Sequence, residues 1–258
     1  MAARKAYLMC MVQRCGSNVL CEALSRTGVV GHPTEYFTPA FPEAEALGHD
    51  LAGFEASAWA RRNGVDSIGD FMARVLDEGS TSNGVFGAKL PWNAFVSLLG
   101  KLRSLPHAAD LDPIDLLASV LGPLRFVRVQ RRDRLRQAVS WALASQTGHY
   151  ASHEAAIRPP IRPPTFDLEL IDGLLREIDE SERNWDSFFA DCGSEPLVVF
   201  YEDLGCDLPG VVRRLLDWIG ESPAAGVDFS DLRHQRQSGL VNEEWVARYL
   251  AMRREPEV

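Results

Sequence analysis

No lysine stands where the loop of a nucleotide triphosphatase would need one. The stretch "MVQRCGSNVLCEALSRTG", Met11 to Gly28, follows an apolar run and sets a Gly-Ser pair beside an arginine. It lacks the pattern G-x-x-x-x-G-K-[ST], and the glycine spacing of a dinucleotide fingerprint is missing too. Positive charge is scarce: 27 Lys and Arg against 36 Asp and Glu leave a formal net charge of -9. That balance argues against a general nucleic-acid or membrane-surface binder, which needs a basic face, so any anion site must be local. Cysteine is sparse and odd in number: Cys10, Cys15, Cys21, Cys192 and Cys206 fall at no paired metal-ligand spacing. A disulfide scaffold is thereby disfavoured, and a reduced cytoplasm is expected, with no metal. A cysteine-phosphatase loop would need an arginine spaced after Cys10 or Cys15, where Gly16 and Cys21 stand. No segment reaches membrane-spanning length. The run "AYLMCMV" after Arg4 and Lys5 meets Gln13 and Arg14 with no small-x-small cleavage site, so it reads as a buried strand rather than a signal peptide.

What is present suits one domain over residues 1–258, a length that supports one sizeable core. Four apolar, β-rich runs, Ala6 to Val12, Gly84 to Leu90, Arg125 to Gln130 and Pro196 to Tyr201, are separated by helical patterns. Alternation of this kind predicts an α/β fold with a mainly parallel central sheet flanked by helices. Val29 to Val30 is a candidate short fifth strand. Helices are expected over Ser17 to Arg26, Ile68 to Glu78, Asn93 to Arg103, Asp133 to Gln146, Asp167 to Asp191, Leu208 to Gly220 and Glu243 to Met252, with Asp133 and Asp167 as caps. "IRPPIRPP", Ile157 to Pro164, is a stiff connector because its prolines remove amide donors. Phe37 to Gly64 is irregular enough to form a lid.

Three constellations carry chemistry. The first is Gln13-Arg14-Cys15-Gly16-Ser17-Asn18 between a strand and a helix, which places free amides and a helix N-terminus at the carboxyl end of a parallel strand. Gly16 permits close backbone approach, Ser17 and Asn18 either donate to an anion or cap the helix, and Arg14 adds a cation. The second is "RVQRRDRLRQAVSWALASQ", where Arg131 and Arg132 end a strand and suit bidentate anion contact. Arg134 and Arg136 are explained as well by pairing with Asp133 at a helix start. The third is "GHPTEYF", Gly31 to Phe37, where a carboxylate on Glu35 near an anion loop needs a task, and a general base is such a task. Lys89, ending "GVFGAKL", either reaches a reacting group or snorkels from its strand end. Trp92 lines an acceptor pocket or, more simply, belongs to the core. Cys15 sits where a helix N-terminus could activate a thiol, but no histidine partner is visible. His149 and His153 read as surface residues.

Together these pieces resemble the sulfotransferases that use 3'-phosphoadenosine 5'-phosphosulfate (PAPS), most closely the bacterial trehalose 2-sulfotransferase family. The segments that carry the resemblance are "QRCGSNVLCEALSRTGVVGHPTEYF", "NGVFGAKLPWN", "QRRDRLRQAVSWALASQ" and "EEWVARY", so it spans nearly the whole chain. It implies a P-loop-like three-layer fold. It also implies that Arg14, Cys15, Gly16, Ser17 and Asn18 bind the 5'-phosphosulfate, with Arg14 steadying the bridging oxygen. The 3'-phosphate site carries over to Arg131 and Ser140, the catalytic base to Glu35, and the loop that closes over the nucleotide to Arg236 and Gln237. Cys15 replaces the usual serine and Asn18 the usual threonine, while His32 stands where the trehalose enzymes carry an acidic residue in the sugar region. The implied reaction is sulfuryl transfer to a hydroxyl of a carbohydrate or other small molecule, such as trehalose or a glycosylated metabolite. The acceptor pocket falls to Phe37–Ile68 and His149–Pro164. Members of that family can be dimers. The rival readings are a small-molecule kinase of the same fold class, against which the missing lysine counts, and a non-catalytic nucleotide-binding protein.

Overall fold

The computed structural model describes residues 3–37, 67–103, 105, 108, 110–150, 159–223, 226–233 and 239–254. Its strands are β1 (Lys5–Met11), β2 (Val85–Pro91), β3 (Leu124–Gln130) and β4 (Leu197–Phe200). All pairings are parallel and the order is β2-β1-β3-β4, with Leu8 opposite Ala88 on one side and Phe126 on the other. Being covered on both faces, the strands read as near-continuous apolar runs. Alternate residues of β1 divide between the layers. Ala6, Leu8 and Cys10 join Phe86, Ala88, Leu90 and Phe126 on one face, while Tyr7, Met9 and Met11 join Val85, Val127, Val129 and Val199 on the other.

The helices are α1 (Ser17–Arg26), α2 (Ile68–Gly79), α3 (Trp92–Leu102), α4 (Pro113–Leu121), α5 (Arg134–Thr147), α6 (Leu168–Asp191), α7 (Tyr201–Ile219) and α8 (Leu240–Arg254). One outer layer is made by α2, α3, α4 and the last turns of α6, where Trp185, Phe188 and Phe189 pack on Phe95 and Phe126. The other is made by α1 and α7. Beside them α5, the first half of α6 and α8 enclose a third cluster around Ile171, Ile178 and Trp245. This is the expected three-layer α/β arrangement. Asp133 and Asp167 cap α5 and α6 by accepting from Arg136 N and Leu170 N, both at 2.9 Å. Trp92 is half-buried and packs against the core, 5.0 Å from the Trp185 ring centroid in an edge-on contact.

Three local expectations need correction. Val29 and Val30 form a bend, not a strand. The helix expected from Leu208 begins at Tyr201, and the two parts meet at a break at Asp207 (φ -152°), whose carboxylate recaps the chain by accepting from Gly210 N at 2.9 Å. Pro209 follows in the first turn of the second part, where a missing N–H costs nothing. The helix α4 was not expected at all, although Asp112 accepts from Ile114 N and Asp115 N and Pro113 opens the helix. The region 38–66, which holds nearly all of the expected lid, lies outside the described residues, as do His153 and residues 151–158.

Candidate active site

The carboxyl ends of the strands bring the constellations together. After β1 the chain turns through two left-handed residues, Arg14 at φ 67° and Gly16 at φ 83°. Glycine is required at the second for a further reason: a Cβ there would lie 2.5 Å from Cδ2 of Tyr201. Gly16, not Ser17, is the N-cap of α1, and it has no side chain to cap with. The positive end of the α1 dipole therefore opens on this turn without a side-chain cap, a setting that suits an anion. The Ser17 amide and hydroxyl hydrogen-bond toward Cys15, whose thiol is nevertheless raised by burial against their lowering effect. A buried thiol held protonated is no nucleophile.

Arg14 Nε donates to Ser140 Oγ at 3.0 Å and its Nη1 donates to the Tyr150 carbonyl. Arg131 donates to the Arg14 carbonyl at 3.3 Å, and its guanidinium lies 4.3 Å from the Tyr201 ring centroid. Tyr201 is thus wedged between the Gly16 backbone and the Arg131 cation. The Arg131 Nε is buried with no hydrogen-bond partner among the described residues. Burial first, and then the neighbouring Arg131 charge, lower the Arg14 guanidinium to about 10. Burial lowers Arg131 in the same direction. Concentrated, desolvated positive charge of this kind is relieved by an anion.

Glu35 reaches the same place by another route. Gly31, at φ 73°, passes so close to β2 that a Cβ would stand 2.6 Å from Gly87 N. The following residues are held from two elements, His32 N donating to Gly79 O at the end of α2 and Lys89 N of β2 donating to Thr34 O, both at 2.9 Å. The Glu35 carboxylate then meets the Lys89 ammonium at 2.7 Å. Lys89 also donates to Asn18 Oδ1 at 2.5 Å, so it does not snorkel. Burial alone would lower the Lys89 ammonium, but the Glu35 charge and hydrogen bond carry it above the ordinary lysine value. Direct contacts thus link Glu35 to Lys89 and Asn18 on one side of the loop, and Arg14 to Ser140 and Arg131 on the other.

Residues 6–252 match the family described as Stf0 sulphotransferase. The chain belongs to that family. This Stf0 sulphotransferase is 30% identical over 261 residues to the trehalose 2-sulfotransferase of Mycobacterium tuberculosis, spanning 96% of each chain. It is 27% identical over 267 residues to that of Mycolicibacterium smegmatis, spanning 95% of this chain and 94% of the relative. Among solved structures it is similar to the sulfotransferase domain of the Synechococcus PCC 7002 olefin synthase, at TM-score 0.50, 15% identity, and 100% and 90% coverage of the two chains. It is also similar to a sulfotransferase from Alicyclobacillus acidocaldarius, at TM-score 0.50, 13% identity, and 97% and 93% coverage. These last two likenesses concern the fold, which is the P-loop-like sulfotransferase fold. Family membership makes the chain a sulfuryl transferase.

Three other arginines of the second constellation, Arg132, Arg134 and Arg136, pair with carboxylates. Arg132 is half-exposed and pairs with Asp203 at 3.1 Å and Glu202 at 3.7 Å. Arg134 pairs with buried Glu182 at 2.5 Å instead of Asp133, whereas Arg136 does pair with Asp133, at 2.7 Å, and with Glu243. Arg236 and Gln237 lie outside the described residues. Tyr201 was not among the residues expected at the site; in "PLVVFY" it reads only as the end of an apolar run. No group of His, Cys, Asp or Glu suited to hold a metal ion occurs among the described residues, and no helix there is long and apolar enough to cross a membrane.

Proposed function

We propose that this sulfotransferase moves a sulfuryl group from PAPS to a hydroxyl of a small carbohydrate, with Glu35 as the base. The observation that carries the reading is the Glu35–Lys89 contact of 2.7 Å at the rim of the anion loop. A carboxylate beside an anion site is a liability unless it accepts a proton, and the Lys89 ammonium tempers its charge. The donor set favours PAPS: the loop amides from Cys15 to Asn18, the Ser17 hydroxyl and Arg14 suit the 5'-phosphosulfate, and Arg131 with its buried unpartnered Nε, together with Ser140, suits the 3'-phosphate. Arg236 and Gln237 are assigned to closure over the nucleotide.

PAPS supplies an activated sulfuryl group and leaves as adenosine 3',5'-bisphosphate. As the acceptor oxygen bonds to sulfur and the bond to the phosphate oxygen breaks, the acceptor proton passes to Glu35. Arg14 and the loop amides stabilise the negative charge growing on the departing phosphate oxygen, and Lys89 faces the transferring group. The chemistry needs no metal, because sulfuryl carries less charge than phosphoryl. The two trehalose 2-sulfotransferase relatives favour a sugar acceptor, trehalose first, handled by a single domain in the cytoplasm.

The test is incubation with labelled PAPS and a panel of acceptors including trehalose and hydroxylated metabolites, read by mass spectrometry. Turnover is expected for a sugar, and Glu35→Gln is expected to keep adenosine 3',5'-bisphosphate binding while losing about 100-fold or more in kcat, the scale of general-base catalysis. Full turnover by Glu35→Gln would refute the base assignment. ATP turnover without PAPS binding would favour a kinase, and binding of the bisphosphate with no transfer to any acceptor would favour a non-catalytic protein.

A further inference from the structure

Asn18 is the second residue of α1, and its side chain turns to Lys89. An ammonium has only donors, so the atom facing it must be the amide oxygen. Lys89 is 8% exposed and rises from the edge strand β2. Of its three N–H bonds, one is directed to Glu35 and one to Asn18. These two acceptors sit on independently fixed elements. Glu35 belongs to the strip pinned to β2 through Thr34 O, and Asn18 to a helix whose start is fixed by Gly16 against Tyr201. A long flexible side chain held from two sides has its ammonium fixed in place with one N–H left to donate.

We infer that Asn18 is a positioning residue: its side-chain carbonyl fixes the Lys89 ammonium, and through Lys89 it fixes the Glu35 carboxylate relative to the anion loop. The inference rests on the proposed sulfuryl transfer and deepens it. It separates two contributions of one residue. The backbone N–H of Asn18 belongs to the helix N-terminus and serves the donor, whereas the side chain serves the lysine. Asn18→Leu, of similar volume, removes only the second.

Two readouts decide it, one of them independent of turnover. Labelling with acetic anhydride, read residue by residue by mass spectrometry, measures how firmly Lys89 is held. It is expected to rise about fivefold in Asn18→Leu and to stay native in Asn18→Asp, which keeps an oxygen acceptor. In kinetics, Asn18→Leu is expected to lower kcat about tenfold while the Kd for adenosine 3',5'-bisphosphate stays within about threefold. In a Lys89→Met background the same change is expected to cost less than about twofold, because a residue that acts through Lys89 has nothing left to hold. Unchanged labelling in Asn18→Leu overturns the inference. So do multiplicative losses in the double variant, or weakened bisphosphate binding at native kcat. If the native protein transfers nothing from PAPS, the sulfuryl-transfer reading falls, and the labelling arm alone still decides the positioning.

Discussion

At the scale of single residues, burial and neighbouring charge push the cations of the site in opposite directions. Arg14 is lowered to about 10, so at every lower pH its charged form is a cost to the fold that a bound anion offsets. Adenosine 3',5'-bisphosphate at about 100 times its Kd should therefore stabilise the native protein by roughly 2.7 kcal/mol. Arg14→Gln should shrink that shift in Tm to near zero at the same concentration, as checked by calorimetry. Lys89 works in the opposite sense. Its ammonium is raised above the ordinary 10.5, so the stability it contributes is fully present below that value and is lost as pH rises through the folded value. The expected result is an alkaline fall in Tm that is smaller in Glu35→Gln, measured by thermal melts from neutral to alkaline pH. The residue types of the site were legible because glycine, arginine and glutamate beside a strand end each imply a task. Tyr201 was not. Its role is to fill the space left by the missing Cβ of Gly16, and a contact across so much chain leaves no local pattern.

At the scale of elements, the helix starts sort the arginines. Glu182, buried on α6, accepts from Arg128, from Gln130 at 2.7 Å and from Arg134 at 2.5 Å, and so ties β3, the start of α5 and α6 together. This knot holds Arg134 on Glu182, while Arg131 reaches the Arg14 carbonyl. Arg128 Nε and Nη1 have no hydrogen-bond partner among the described residues, so desolvation of the pair is only partly offset. Glu182→Leu should cost about 3–5 kcal/mol in urea unfolding, since it strands a buried guanidinium. Arg128→Met combined with Glu182→Leu should cost less than the single change. None of this was readable in "RVQRRDR", because periodicity shows which residues share a face and not which distant carboxylate meets them. The strands and most helices were readable, because burial on both sides writes β1 to β3 as apolar runs and aspartates mark the starts of α5 and α6. Helix α4 was missed despite its Asp-Pro start, and α7 was entered late because Asp207 and Pro209 look like a beginning when they are a second one.

At the scale of the whole molecule, Arg14, Ser17, Asn18, Glu35, Lys89, Arg131 and Ser140 all lie toward the carboxyl ends of the strands, and the amino ends are closed by other contacts. There Arg4 and Lys5 pair with Glu221, which also accepts from Asn83 at 3.1 Å. With parallel strands this polarity follows from chain direction, which is why the placement of the site could be anticipated from the order of elements before any residue was assigned. The strip from Gly31 to Glu35 has a consequence that has nothing to do with sulfate. It lies against the outer side of the edge strand β2, where Thr34 O takes the Lys89 amide that would otherwise be open to another chain, an arrangement expected to blunt edge-to-edge pairing. Gly31→Ala, which drives a methyl group into Gly79 O and Gly87 N, should lift this strip. The variant should then lose solubility along with turnover, seen as rising light scattering on warming, whereas Glu35→Gln loses turnover and stays clear. The strip that holds Glu35 is thus expected to cover the sheet edge as well.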